Sequence, residues 1–123
     1  MTEQKDMIET IRARLDDLAG PDPDEAERAL LLRLLRSYAD KTPTALAELA
    51  GTVAAGDPAA VRELAHRLKG SASNIGAGRF ADILADVEFR ARDGELLDAD
   101  ARLRAEWVHL AGDLSTVIDE LEA

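Results

Sequence analysis

Residues 57–76 read Asp57-Pro58-Ala59-Ala60-Val61-Arg62-Glu63-Leu64-Ala65-His66-Arg67-Leu68-Lys69-Gly70-Ser71-Ala72-Ser73-Asn74-Ile75-Gly76. Asp57 can accept a hydrogen bond from the unpaired N–H groups of a first helical turn, and Pro58 suits the position after it, where its missing donor has no partner to lose. Gly76, with Gly78 behind it, is the usual kind of helix stop. At about 100° per residue, Val61, Leu64, Leu68, Ala72 and Ile75 form an apolar stripe. His66 points away from that stripe, with Arg62, Lys69, Gly70 and Ser73 near it. The spacing therefore predicts a histidine facing outward from the rigid interior of a helix.

Working outward, Phe80, Ile83, Leu84, Val87 and Ala91 repeat at helical spacing until Asp93-Gly94. The few residues around Gly76 and Gly78 force a short connection, so this helix must pack antiparallel to the one bearing His66. Phe80 is expected in the core. Upstream, Ala26, Ala29, Leu30, Leu31, Leu34, Leu35 and Tyr38 give a wide apolar face on a central helix, which Asp22 would cap with Pro23 at its first position. Thr42-Pro43 leaves two outcomes open, a bend in one long helix or a break with Thr42 capping a fresh segment that carries Leu46, Leu49 and Val53. Met7, Ile8, Ile11, Leu15 and Leu18 predict a further amphipathic helix over residues 3–19, ended by the breakers of residues 20–24. From about Asp98, Leu103, Trp107, Leu110, Leu114, Val117 and Leu121 mark a last helix, with Trp107 as a core anchor and His109 off the stripe.

At 123 residues the chain suits one domain with a sizeable core. Hydrophobic residues make up 46% but aromatic ones only 3%, so the core must be built from aliphatic side chains, as helix bundles allow. The absence of cysteine excludes disulfides, thiolate metal sites and cysteine nucleophiles, and fits a reducing compartment. A net charge of −10, from 15 basic and 25 acidic side chains, repels nucleic acid and anionic lipid. Around His66 the sign reverses locally through Arg62, Arg67 and Lys69. No apolar run is long enough for a membrane span, and the N-terminus lacks a signal-like pattern, so a cytoplasmic location is expected.

An exposed neutral imidazole is a nucleophile at physiological pH. Lys69, one turn on, puts a cation beside whatever anion the ring acquires, and Gly70 removes the side chain that would crowd an approach. Ser73 adds a hydroxyl to the same face. A phosphoryl group needs a nucleophile, a charge partner and open space together, since its transfer is catalysed mostly by positioning and electrostatics. The rival explanation of any single histidine is a surface residue or a satisfied core residue, and placement opposite the apolar stripe argues against the core role. A glycine inside a helix costs about 1 kcal/mol against alanine, so the Lys-Gly continuation argues for a site.

These residues resemble the histidine-containing phosphotransfer (HPt) family, whose pattern is a histidine followed by Leu-Lys-Gly-Ser and then an aliphatic-Gly-Ala. Here it reads His66, Leu68-Lys69-Gly70-Ser71 and Ile75-Gly76-Ala77, with weaker agreement from Gly56-Asp57 to Val87-Glu88 and Arg92. Ala72 departs from the serine common in the family. The resemblance implies an all-α fold, an up-and-down antiparallel four-helix bundle over residues 22–122 with an additional N-terminal helix in residues 1–20, all one domain. It implies that His66 carries a phosphoryl group between the aspartates of response-regulator receiver domains fed by a histidine or hybrid kinase. His66 would attack through the ring nitrogen farther from the backbone, Lys69 would steady the phosphoryl oxygens, and Gly70 would permit close docking. Arg62, Arg67 and Ser73 are further candidates for phosphate or partner contacts, while Ala65 and Ala77 would admit the partner or simply pack.

No nucleotide-binding loop or kinase motif occurs, so the chain is expected to be a monomeric phosphocarrier and not an enzyme with an ATP site. No cofactor or metal is expected in it, and Mg²⁺ would sit on the receiver. A phosphorylation-independent adaptor bundle that binds a signalling protein is the alternative. The phosphoacceptor region of a histidine kinase fits less well, because it would place an acidic residue after the histidine where Arg67 stands.

Overall fold

The computed structural model describes residues 6–123, and among them every regular element is a helix. In chain order these are α1 (Met7–Ala19), α2 (Glu25–Ala54), α3 (Pro58–Asn74), α4 (Gly78–Arg92) and α5 (Ala99–Glu122). Helices α2, α3, α4 and α5 each pack against the next, and α5 returns to α2, so the four close around one core. Helix α1 lies outside this ring, against α4 and α5. Leu35, Leu49, Val61, Ile75, Phe80, Leu84, Leu103, Leu110 and Leu114 fill the interior. Tyr38 and Phe80 each meet Trp107 with ring centroids 6.1 Å apart in tilted arrangements. Such pairs add about 0.5–1.5 kcal/mol beyond their buried area. Phe80 is thus core, as expected, whereas Trp107 is only half-buried and closes the cluster from outside.

Several helix ends differ from those the sequence suggested. Helix α1 starts at Met7, capped by Asp6, whose carboxylate accepts from the Ile8 N–H at 3.1 Å; residues 3–5 of the predicted span lie outside the described residues. Helix α2 is capped by Asp24 instead of Asp22. The reason is Glu27, which completes a capping box: the Glu27 N–H donates to Asp24 at 2.8 Å and the Asp24 N–H to Glu27 at 2.9 Å. Asp22 has Glu25 at the same spacing, but the reciprocal bonds form at Asp24 and Glu27, and α2 begins only at Glu25.

The face that α2 buries is also narrower than the sequence implied. Leu31, Leu35, Tyr38, Thr42, Leu46 and Leu49 are buried, but Ala26, Ala29 and Leu30 are exposed because no neighbour covers that side of the first turns. Leu18, in the last turn of α1, is likewise left outside. At Pro43 the chain chooses continuity, and α2 runs unbroken through the proline. Thr42 is no cap there; its side chain is buried and its hydroxyl donates back to the Tyr38 carbonyl at 2.6 Å.

Asp57 caps α3 as anticipated, accepting from the Ala60 N–H at 3.2 Å, with Pro58 at the first position. At the other end only Gly76 stops the helix, with φ of +80°, whereas Gly78 already begins α4. A side chain at Gly76 would also collide with α1, its Cβ falling 2.5 Å from the Thr10 carbonyl oxygen. Arg14 of α1 reaches the same corner, its Nε donating to the Asn74 carbonyl at 2.9 Å and satisfying a free acceptor at the C-terminus of α3. Ala65 and Ala77 are fully buried. They are packing residues, and Ala77 does not form part of a surface that a partner can touch.

Candidate functional site

His66 stands mid-way along α3 with its side chain 67% exposed, held there because Val61, Leu64 and Ala65 turn the opposite face into the core. Its Nδ1 lies 2.9 Å from one oxygen of Glu88 on α4, and the Lys69 ammonium lies 2.9 Å from the other. Glu88 is therefore a bridge between two cross-helix partners, and its side chain is mostly shielded at 17% exposure. The Lys69 hydrogen bond holds the Glu88 carboxyl below its ordinary range, against the opposing effect of burial, and the His66 hydrogen bond adds to it.

A carboxylate so held is ionised and can only accept hydrogen bonds, so the Nδ1 facing it must carry the ring proton. Nε2 then bears the lone pair, and it has no hydrogen-bond partner among the described residues. An imidazole oriented in this way can serve as a nucleophile, the logic of activated nucleophiles in general.

Arg62, Arg67, Glu63, Ala59 and Glu88 line an open depression with His66. Neither Arg62 nor Arg67 has a carboxylate within 4.0 Å among the described residues, while Arg12, Arg36, Arg79, Arg90, Arg102 and Arg104 all do. Gly70 is exposed one turn on, and a Cβ built there would meet nothing within 4 Å. Ser73 is exposed farther along α3 and does not line the depression. The fold thus gathers His66, Lys69, Arg62 and Arg67, sets Gly70 and Ser73 beside them, and removes Ala77. His109 is exposed on α5, away from this group.

Glu88 is the residue for which the sequence suggested no role. A signal existed: His66 and Glu88 each lie eleven residues from Ala77, so an antiparallel hairpin turning there sets them level.

Among the described residues no group of His, Cys, Asp or Glu could hold a metal ion, and no helix is long and apolar enough to cross a membrane. The model of the Hpt domain family matches residues 33–123, which takes in the site and most of α2 but leaves α1 outside. No curated protein and no solved structure matches the chain. With an outward histidine at the heart of the matched region, the chain belongs to the Hpt domain family, phosphocarriers of histidine phosphotransfer in two-component phosphorelays.

Proposed function

We propose that His66 accepts a phosphoryl group from the aspartyl phosphate of one receiver domain and passes it to the aspartate of another, a histidine or hybrid kinase standing upstream. The observation that carries this is the Glu88 bridge, whose ionised carboxylate faces Nδ1 and so supports a proton there and Nε2 as the nucleophile. In the forward step the Nε2 lone pair forms a bond to phosphorus as the bond from phosphorus to the aspartyl oxygen breaks, and that electron pair leaves on the aspartate carboxylate. The ring keeps its Nδ1 proton and becomes a phosphorylated imidazolium, whose positive charge faces Glu88. In the return step an aspartate oxygen attacks phosphorus and the electron pair returns to Nε2.

Lys69 has three donor hydrogens, enough to keep Glu88 while steadying a phosphoryl oxygen. Arg62 and Arg67 line the depression, unpaired among the described residues, as cations for the phosphate or for acidic groups of the partner, with Ser73 as a further contact. Gly70 keeps the approach clear. Mg²⁺, where the reaction uses it, belongs to the receiver, and ATP to the kinase. Connections of three residues at 55–57 and 75–77 support an up-and-down order for α2, α3 and α4.

The test is incubation with a radiolabelled phospho-receiver. An acid-labile label should appear on the wild type and vanish in His66→Gln. Binding without transfer would instead favour an adaptor.

A further inference from the structure

The chain has four aromatic side chains, and three of them, Tyr38, Phe80 and Trp107, cluster together. The fourth, Phe89, is 61% exposed. It follows Glu88 directly on α4, one step of about 100° around the helix from the residue that holds His66. Arg92, one turn farther, lies over the Phe89 ring with its guanidinium carbon 5.9 Å from the centroid, and it has no carboxylate within 4.0 Å among the described residues. A scattered exposed apolar residue needs no explanation, and Leu97 and Val108, in the connection after α4 and on α5, are of that kind. Phe89 differs because it directly follows the residue that holds His66 and carries across its ring a cation with no carboxylate within 4.0 Å among the described residues. Taking such a ring out of water is favourable, a gain the free protein does not collect.

We propose that Phe89, with Arg92 across its ring, anchors the receiver domain that exchanges phosphate with His66. The ring packs against apolar surface at the rim of the receiver's phosphorylation pocket, and Arg92 and Arg62 face the carboxylates of that pocket. Charge selects this partner, since a chain of net charge −10 presents cations here and a receiver's aspartate cluster is acidic. An aromatic ring beside an arginine in a patch that becomes desolvated is the common composition of an energetic centre in an interface.

This inference rests on the proposed phosphotransfer, and the test separates the two. The phospho-receiver used is the one, among the receivers of the source genome, that labels the wild type fastest; phosphoramidate serves as a small donor that reports on the nucleophile alone. Phe89→Ala should raise the KM for the phospho-receiver about tenfold or more with kcat changed less than about twofold, and Phe89→Tyr should restore most of the loss. Labelling by phosphoramidate should survive in Phe89→Ala, and Val108→Ala should match the wild type in every assay. A wild-type KM in Phe89→Ala, or a fall in kcat alone, overturns the anchor while leaving phosphotransfer intact. Absence of label on the wild type from any receiver overturns both.

Discussion

A carboxylate that receives an imidazole N–H on one oxygen and an ammonium on the other does two jobs, and substitutions separate them. Glu88→Gln keeps a carbonyl for Nδ1–H but turns an NH₂ group toward Lys69, whereas Glu88→Ala frees both partners. Loss of an orienting carboxylate from a buried triad costs about 10⁴-fold in rate. Here the imidazole is exposed and water can take over part of the role, so Glu88→Ala should slow phosphotransfer by about tenfold to a hundredfold and Glu88→Gln by less. Equal rates in all three proteins would remove Glu88 from the mechanism.

The same bridge sets a pH dependence. The folded-state value of Glu88 lies below its ordinary 4.5, so its contribution to stability is complete above that pH and is lost as pH falls through the lower folded value. Urea midpoints measured from about pH 5 down to about pH 3 should fall less steeply in Glu88→Gln than in the wild type. Gly70 is different in kind. Nothing inside the protein needs a glycine there, so Gly70→Ala should raise stability by about 0.5–1 kcal/mol, while Gly70→Leu should slow transfer from a receiver. His66, Lys69 and Gly70 were legible in the sequence because one helix and its period fix their common face. Glu88 was not, because its place depends on the register of a second helix, which local periodicity does not carry.

Among the elements, α1 shows most clearly what a local pattern leaves out. Its stripe of Met7, Ile11 and Leu15 announced an amphipathic helix but not the groove it would occupy. The answer lies in the α3–α4 corner, where Gly76 combines a positive φ with a close approach to the α1 backbone and Arg14 satisfies the end of α3. An alanine at position 76 must adopt a left-handed conformation, at about 1–2 kcal/mol, and also push α1 away. Gly76→Ala should therefore destabilise the protein by more than that amount and increase amide exchange in α1 beyond the loss in α5. Uniform exchange would mean that the corner does not brace α1.

Pro43 poses the opposite case, a residue that the pattern treated as a possible end and the packing carried through. Leu35, Tyr38 and Thr42 on one side of it and Leu46 and Leu49 on the other are buried on the same face, and that shared burial outweighs the lost backbone bond. The N-cap of α3 was legible because Asp57 and Pro58 are contiguous; the cap of α2 was not, because Asp22 with Glu25 and Asp24 with Glu27 offer the same spacing and only the folded chain selects the second pair.

Across the whole molecule, charge is distributed unevenly in a way that its total conceals. Most arginines on α1, α4 and α5 meet carboxylates, as in the pairs Arg12–Glu120, Arg79–Glu106 and Arg102–Asp86. The pairs exposed on both sides, such as Arg12–Glu120, contribute little to stability. What the pairs do is neutralise the surface away from His66, whereas Arg62 and Arg67, with no carboxylate within 4.0 Å among the described residues, can act at a distance. Composition showed the excess of 25 acidic over 15 basic side chains, but only the folded arrangement shows which cations are left over. If these cations steer an acidic receiver toward the site, the effect must weaken as the screening length drops from about 10 Å at 0.1 M salt to about 3 Å at 1 M. The kcat/KM for transfer from a phospho-receiver should then fall about tenfold or more over that range, through KM. Arg62→Ala combined with Arg67→Ala should flatten the salt dependence and lower the low-salt rate toward the high-salt value. Labelling by phosphoramidate, a small donor with no acidic surface, should respond far less to salt. A steep dependence that survives the double substitution would place the steering charges elsewhere on the protein, with Arg92 the next cation to replace.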